Sequence, residues 1–307
     1  MTRPTPRLLR RCAALVCLLV AGTVTTGCGS DDTSTADSRL SVVASTNVWG
    51  DIVRTIAGSD ATVTSLISNP AQDPHSFEAS SKTLLSISKA DVVVENGGGY
   101  DDFMGRMLKT GQSGATVLDA VDISGKTAAQ GAELNEHVWY DLHTVAKVTD
   151  AITAALSEKR PADAADFRAR ADRFKDKLAG MQQQEASLKQ RLAGTPIAIT
   201  EPVPLYMTTA CGLRNATPAA FSEAVEEGDD MSPRVLNDTL ALYSDKSVKA
   251  LFYNEQTSGA VTEKVEAAAK ANGIPVIPVT ETLPADTTYL TWMQANLTHL
   301  KAALTTG

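Results

Sequence analysis

The sequence predicts an α/β protein of two lobes, each with a mainly parallel sheet flanked by helices, joined by one long rigid connector helix. Strand-like runs alternate with helical patterns in both halves of the chain, which indicates parallel sheets covered by helices. Between the halves lies a run at about 162–192 that is rich in Ala, Arg, Lys, Gln and Glu. At the α-helical rise, about thirty residues span about 45 Å, which is longer than a lobe is wide. This run therefore predicts a strut between two lobes.

The first lobe is predicted over residues 39–160. Strands are expected at 40–45, 61–67, 91–95 and 116–118. After the first of them, Val48, Ile52 and Ile56 recur at helical spacing until Gly58 ends the pattern. The run 96–99, Asn-Gly-Gly-Gly, has neither the spacing nor the Lys-Ser/Thr of a phosphate-binding loop. It predicts a turn in which the backbone approaches a neighbour closely.

The connector helix is assigned to residues 161–193 and the second lobe to residues 194–307. Gly194 ends the helical run, and the alternation of strands and helices then starts again. Strands are expected at 197–200, 248–253 and 274–279, and helices near 232–245, 257–272 and 285–304. Ser232 followed by Pro233 is typical of a helix start, because Ser caps the first amide groups and Pro fits the first helical position.

The N-terminal segment, residues 1–27, has the pattern of an export signal. Its arginine-rich start precedes an uncharged apolar run at 12–24, which is too short to span a bilayer comfortably. The apolar run leads into Thr25-Thr26-Gly27-Cys28, which resembles a bacterial lipobox and makes Cys28 the predicted lipidation site. Plain secretory cleavage nearby is the alternative. Residues 28–38, dominated by Ser, Thr and Asp, predict a flexible tether.

Charge and cysteine content exclude several classes of protein. The 307-residue chain has a formal net charge of −8, and loss of the basic N-terminal segment makes the remainder more acidic. An acidic surface argues against nucleic acid as a partner and is compatible with attracting cations. Once the signal is removed, Cys211 is the only cysteine besides Cys28. Neither an internal disulfide nor a cysteine-based zinc cluster is therefore expected.

Four side chains are candidate ligands of a metal ion: His75, His137, Glu201 and Glu281. His75 lies after a predicted strand, in the loop 72–78 (Gln-Asp-Pro-His-Ser-Phe-Glu), which its proline stiffens. His137 lies where the first lobe meets the connector, and each glutamate directly follows a predicted strand of the second lobe. Side chains at the carboxyl ends of strands converge in α/β folds, and two neutral imidazoles with two carboxylates suit a divalent first-row ion.

These segments resemble those of the substrate-binding proteins of bacterial manganese, zinc and iron ABC importers. Residues 72–78 are similar to that family's Asp-Pro-His-x-Phe-Glu loop, and 135–139 (Asn-Glu-His-Val-Trp) to its Asn-Pro-His-x-Trp segment, which implies that His75 and His137 are ligands. Glu201, followed by Tyr206 and Gly212-Leu213 at matching distances, resembles the third-ligand segment, and Glu281 aligns with a position that is usually Asp. The resemblance covers essentially the whole mature chain.

The resemblance implies a solute receptor, not an enzyme, that catches one divalent metal ion in the cleft between its lobes and delivers it to the membrane permease of an ABC importer. It implies an extracytoplasmic protein anchored to the outer face of the cell membrane by the lipid on Cys28, and we expect a monomer. The His and carboxylate set favours Mn(II), with Zn(II) or Fe(II) as alternatives. Residues 120–136 contain no His, whereas zinc-type members usually carry a His-rich loop between the first two ligands.

Other interpretations remain open. Glu201 alone would be an ordinary neighbour of a helix start, and an isolated loop histidine is more often a surface residue. A metal-containing surface adhesin is the alternative function, although the sequence offers no repeat or added domain for it. A metal-dependent hydrolase would need an open coordination position, for which four protein ligands leave little room. His143 is expected at the surface or beside the site, and His299 in solvent.

Overall fold

Parallel strands form two sheets of the same topology, one in each half of the chain. In the described residues the strands are β1 (Leu40–Thr46), β2 (Ala61–Ile67), β3 (Val92–Glu95), β4 (Thr116–Asp119), β5 (Pro196–Ile199), β6 (Arg214–Asn215), β7 (Leu251–Asn254) and β8 (Val276–Val279). Their orders are β2-β1-β3-β4 and β6-β5-β7-β8, and the paired strands are parallel. The strand order reverses between β1 and β3 and again between β5 and β7, which is where open α/β sheets bind ligands.

The structure is a computed structural model that describes residues 39–69, 72, 74–75, 77–111, 113–128 and 133–305. These residues belong to one unit, Ser38–Gly307. The expected signal segment 1–27, the lipidation site Cys28 and the tether 28–38 lie outside the described residues and stay predictions.

Helices flank the two sheets, as the alternation of patterns predicts. They are α1 (Asn47–Ala57), α2 (Ser81–Ser88), α3 (Phe103–Gly111), α4 (Ala120–Ser124), α5 (Leu142–Lys159), α6 (Ala164–Leu192), α7 (Leu205–Ala210), α8 (Ala219–Glu226), α9 (Pro233–Ser244), α10 (Ala260–Ala271) and α11 (Tyr289–Thr305). In the described ranges, none of the helices is both long enough and apolar enough to cross a bilayer.

Helix ends follow local side-chain chemistry. The Ser232 hydroxyl accepts a hydrogen bond from the Val235 amide at 3.3 Å, and Pro233 is the first residue of α9, as its sequence predicts. The last helix begins at Tyr289, later than the predicted start near residue 285. The reason is a turn before it, in which Asp286 has a φ of 57° that no right-handed helix can contain.

The long helix α6 lies between the two sheets in the chain and packs against both halves. It has 29 residues, and it contacts α1 and α5 of the first half and α7 and α11 of the second. Its inward face is apolar, with one exception, Glu185, which is 3% exposed. Arg170 of α6 also contacts the end of α1. Its guanidinium donates hydrogen bonds to the carbonyl oxygens of Ile56 (2.6 Å) and Ala57 (2.9 Å).

One hydrophobic core runs through both halves of the chain. It includes Trp49 of α1, Ile152 of α5, Phe174 of α6, Phe252 of β7 and Trp292 of α11. Smaller clusters lie in each half, one under α9 and α10 and the other between β3, α2 and α3. The halves therefore share the apolar surface that α6 buries.

Hydrogen bonds also cross directly from one half to the other. The Asn47 side chain donates to the Leu283 carbonyl at 2.8 Å and accepts from the Leu283 amide at 3.0 Å. The Tyr289 amide donates to Asp51 at 2.8 Å, and the Tyr140 hydroxyl donates to the Thr280 carbonyl at 2.7 Å. Separating the two halves along this edge would break all of these bonds.

Candidate metal centre

His75 lies in the loop after β2, and its ring is partly exposed. Pro74 beside it is buried, and the His75 side chain is 28% exposed. The imidazole stands edge-on to the Tyr100 ring, with the ring centroids 5.2 Å apart. Its Nε2 lies 3.6 Å from Oε1 of Glu136. The loop therefore presents the imidazole to other polar side chains.

His137 is buried and oriented by its neighbour Asn135. It lies just before a short 3-10 helix, Val138–Tyr140, and is 1% exposed. The Asn135 amide oxygen accepts from the His137 backbone N–H at 3.0 Å and lies 2.8 Å from the ring Nδ1. Burial, with the nearby His75 adding to the effect, lowers the pKa of His137 to about 3. The ring is therefore a neutral imidazole near neutral pH, the form that ligates metals.

Glu201 and Glu281 come together at the carboxyl ends of β5 and β8. They are 2% and 7% exposed, and the Asn254 amide at the end of β7 donates to both. Its bond to Glu281 Oε1 is 2.7 Å long, and its contact with Glu201 Oε2 is shorter. Burial first, and the Glu201 carboxylate second, raise the pKa of Glu281 to about 7. One amide thus holds two carboxylates side by side.

Tyr100 connects the histidines of the first half to the carboxylates of the second. It follows the glycine turn, in which Gly97, Gly98 and Gly99 all have positive φ, as expected for a turn. The Tyr100 ring lies 5.8 Å from His137, centroid to centroid, and its hydroxyl donates to Glu281 Oε2 at 3.3 Å. All four sequence-predicted residues are therefore joined in one network of contacts.

Two further glutamates lie within this network. Glu136, 8% exposed, belongs to the Asn-Glu-His run at 135–137. Glu226 is the last residue of α8, and its Oε1 lies 3.6 Å from His137 Nε2. The ligand atoms of His75, Glu136 and Glu226 lie within 4.8 Å of one another, a spacing that could hold a metal ion.

Sequence reasoning missed Glu226 because α8 was not predicted. The only signal is the acidic run 226–230, Glu-Glu-Gly-Asp-Asp, which is typical of a solvated loop. The fold instead turns its first residue inward. Burial, followed by the carboxylates of Glu136, Glu201 and Glu281, raises the pKa of Glu226 to about 9.

The chemistry of this cluster favours a cation. It brings two imidazoles and four carboxylates into mutual contact or electrostatic range. Buried carboxylates without a counter-ion are costly. Imidazole nitrogen and carboxylate oxygen together suit divalent first-row metals.

The remaining histidines lie away from the cluster. The His143 side chain is 73% exposed, with Nδ1 3.6 Å from Asp141, and His299 is exposed on α11. Trp49, Trp139 and Trp292 are buried in the core and serve as packing residues.

Comparison with known proteins relates most of the chain to one group. Residues 42–303 match the sequence model of the family described as ZnuA, zinc-uptake complex component A periplasmic. The manganese-binding lipoprotein MntA of Bacillus subtilis (strain 168) is 27% identical over 270 residues, which cover 84% of this chain and 85% of MntA. The manganese ABC transporter substrate-binding lipoprotein ScaA of Streptococcus gordonii is 23% identical over 287 residues, 87% of this chain and 88% of ScaA.

The fold is also similar to that of solved structures. The periplasmic zinc-binding protein TroA from Treponema pallidum superimposes with a TM-score of 0.74 at 20% sequence identity, covering 87% of this chain and 99% of TroA. At this identity the similarity concerns the fold, and it agrees with the two α/β lobes and long helix predicted from the sequence.

Proposed function

The chain belongs to the ZnuA family of periplasmic zinc-uptake components, and we propose that it is the extracytoplasmic receptor of an ABC metal importer. In this role it captures one divalent transition-metal ion in a cleft between its lobes and delivers the ion to the permease. It is a binding protein and not an enzyme, like its relatives, which are named as metal-binding lipoproteins and transporter components.

The observation that supports this function most strongly is the network centred on Tyr100 and Asn254. These two residues link His75 and His137 of the first half to Glu201 and Glu281 of the second. We propose these four side chains as the metal ligands. Because the donors come from both halves, a bound ion would cross-link the lobes.

Manganese is the cargo we favour. Carboxylate oxygen suits Mn(II), whereas zinc sites lean towards more His or Cys. The Irving–Williams order places zinc above manganese in intrinsic affinity, so binding in vitro does not identify the physiological ion. Elemental analysis of the protein purified from its own cell envelope, without added metal, tests this choice. A preparation that carries zinc or iron instead of manganese would refute it.

The cellular setting is inferred from the relatives and from the N-terminal sequence. MntA and ScaA are named as lipoproteins, and Cys28 follows a lipobox-like run. We propose that a lipid on Cys28 holds a monomer at the outer face of the membrane, next to the permease. A Cys28→Ala variant should then be released into the medium or periplasm, and retention of this variant in the membrane fraction would contradict the anchor.

Calorimetric titration of the metal-free protein tests the site. His75→Ala and Glu281→Ala should each lower metal affinity by about 100-fold or more, since each removes a ligand. His143→Ala is the matched control, because His143 is exposed outside the cluster, and it should bind as the wild type does. Unchanged binding in both ligand variants would mean that the site is wrongly assigned. Undiminished metal uptake in a deletion strain would refute the transport role.

A further inference from the structure

The side chains of Glu226 and His137 lie close together, but the distance between them is too long for a hydrogen bond. The Asn135 amide oxygen accepts from the His137 backbone and lies 2.8 Å from Nδ1. The amide is oriented by its own nitrogen, which donates to the Pro202 carbonyl at 3.1 Å. Because Asn135 offers an acceptor, Nδ1 of His137 carries the ring proton, and Nε2 of the neutral ring bears a lone pair.

This Nε2 lone pair faces a carboxylate oxygen. Nε2 lies 3.6 Å from Glu226 Oε1, which is beyond hydrogen-bond distance. Oε1 is fully buried and makes no hydrogen bond within the part of the chain that the structure describes. A metal ion about 2.1 Å from each atom would make an angle of roughly 120° between them, which is compatible with metal coordination. The two atoms are thus spaced as two ligands of one ion.

The position of Glu226 on its helix points to the same conclusion. It is the last residue of α8, where the negative end of the helix dipole disfavours a carboxylate. Its carboxyl group shares a hydrogen bond with that of Glu136 and lies in the electrostatic range of Glu201 and Glu281. Ionisation of a buried carboxyl group beside three other acids and a helix C-terminus is unfavourable unless a cation binds there.

We propose that Glu226 is a further ligand of the transported ion and biases the centre towards Mn(II) over Zn(II). This inference rests on the receptor function proposed above. With His75, His137, Glu201 and Glu281 as ligands, Glu226 adds an oxygen donor from the second half of the chain. Zn(II) is satisfied by four donors, whereas Mn(II) prefers six-coordinate, oxygen-rich sites. The additional carboxylate therefore benefits manganese more than zinc.

The test measures the dissociation constants for Mn(II) and Zn(II) separately, by competition with a chromogenic chelator, in the mature full-length protein. Glu226→Gln should weaken Mn(II) binding by about tenfold or more and weaken Zn(II) binding much less. The matched control is Glu223→Gln, which removes the same charge from an exposed position on the same helix, and both constants should stay at wild-type values. The visible spectrum of the Co(II)-loaded protein should shift towards lower coordination only in the Glu226 variant.

A second measurement keeps the inference testable if the variant has altered stability. Because Gln keeps the shape of Glu but offers no carboxylate to the ion, Mn(II) should raise the melting temperature of Glu226→Gln less than that of the wild type. If the Mn(II) to Zn(II) ratio and the Co(II) spectrum of Glu226→Gln match those of Glu223→Gln, the role of Glu226 is refuted while the receptor function stands. If the wild-type protein binds neither ion, both proposals are refuted.

Discussion

Glu185, the acidic residue on the buried face of α6, makes the stability of the protein depend on pH. The residue is 3% exposed. Burial first, and the charge of Asp141 second, raise the pKa of Glu185 from 4.5 to about 8. In this range the folded state keeps a proton that the unfolded chain has released. Stability is therefore lost as the pH rises from about 4.5 to about 8 and levels off above that.

Glu185→Gln removes this titration and keeps nearly the same side-chain shape. In the window between the two pKa values, each pH unit costs the wild type about 1.4 kcal/mol. From about pH 5 to about pH 7, the free energy of unfolding of the wild type should fall by about 2.5 kcal/mol relative to the variant. At about pH 7 the variant should be more stable by about 3 kcal/mol, provided that the amide is accommodated as well as the protonated acid.

The assay is urea unfolding of metal-free protein, followed by circular dichroism at several pH values. Glu158→Gln on α5 is the control, because Glu158 is exposed and its removal should leave the pH profile parallel to that of the wild type. Parallel profiles for the wild type and Glu185→Gln would show that Glu185 is ionised in the folded state, and the reasoning from burial would be wrong.

Three further predictions concern the site and the frame around it. Asn254→Ala removes the donor shared by Glu201 and Glu281 and should lower metal affinity by about 10- to 100-fold in calorimetry; unchanged affinity would contradict a positioning role. Arg170→Ala should lower the free energy of unfolding in urea by about 1–3 kcal/mol, since it leaves carbonyl groups at the end of α1 without their donor; a loss below about 0.5 kcal/mol would mean that water replaces it. Metal at about 100 times its dissociation constant should stabilise the protein by about 2.7 kcal/mol, seen as a higher melting temperature, and no rise would exclude preferential binding to the folded state.

The fold could be predicted from the sequence because its patterns are local. The apolar run of β1 and the helical spacing of Val48, Ile52 and Ile56 need no distant partner to be recognised, and β1 and α1 form there. The run of three glycines at 97–99 indicates a turn without reference to distant residues, and all three have positive φ. The length and composition of α6 likewise indicated a single long helix.

The candidate site could be predicted only in part, because it depends on tertiary contacts. His75 and His137 lie in distinctive short segments, and Glu201 and Glu281 follow strands, so position along the chain was informative. Glu226 has no such marker. Its role depends on α8, a short helix of eight residues that follows the brief strand β6 and was not apparent from periodicity. The inward orientation of its side chain is set by packing, which a single sequence does not encode locally.

The shared core has a consequence for engineering chimeras. Since α6 packs on α1 and α5 as well as on α7 and α11, a crossover at Gly194 would pair a foreign second half with a helix face that did not evolve with it. Grafting a different ion preference onto this scaffold by exchanging whole halves should therefore give poorly soluble hybrids. Replacement of individual side chains around Tyr100 and Asn254 would leave the packing of α6 against both halves unchanged.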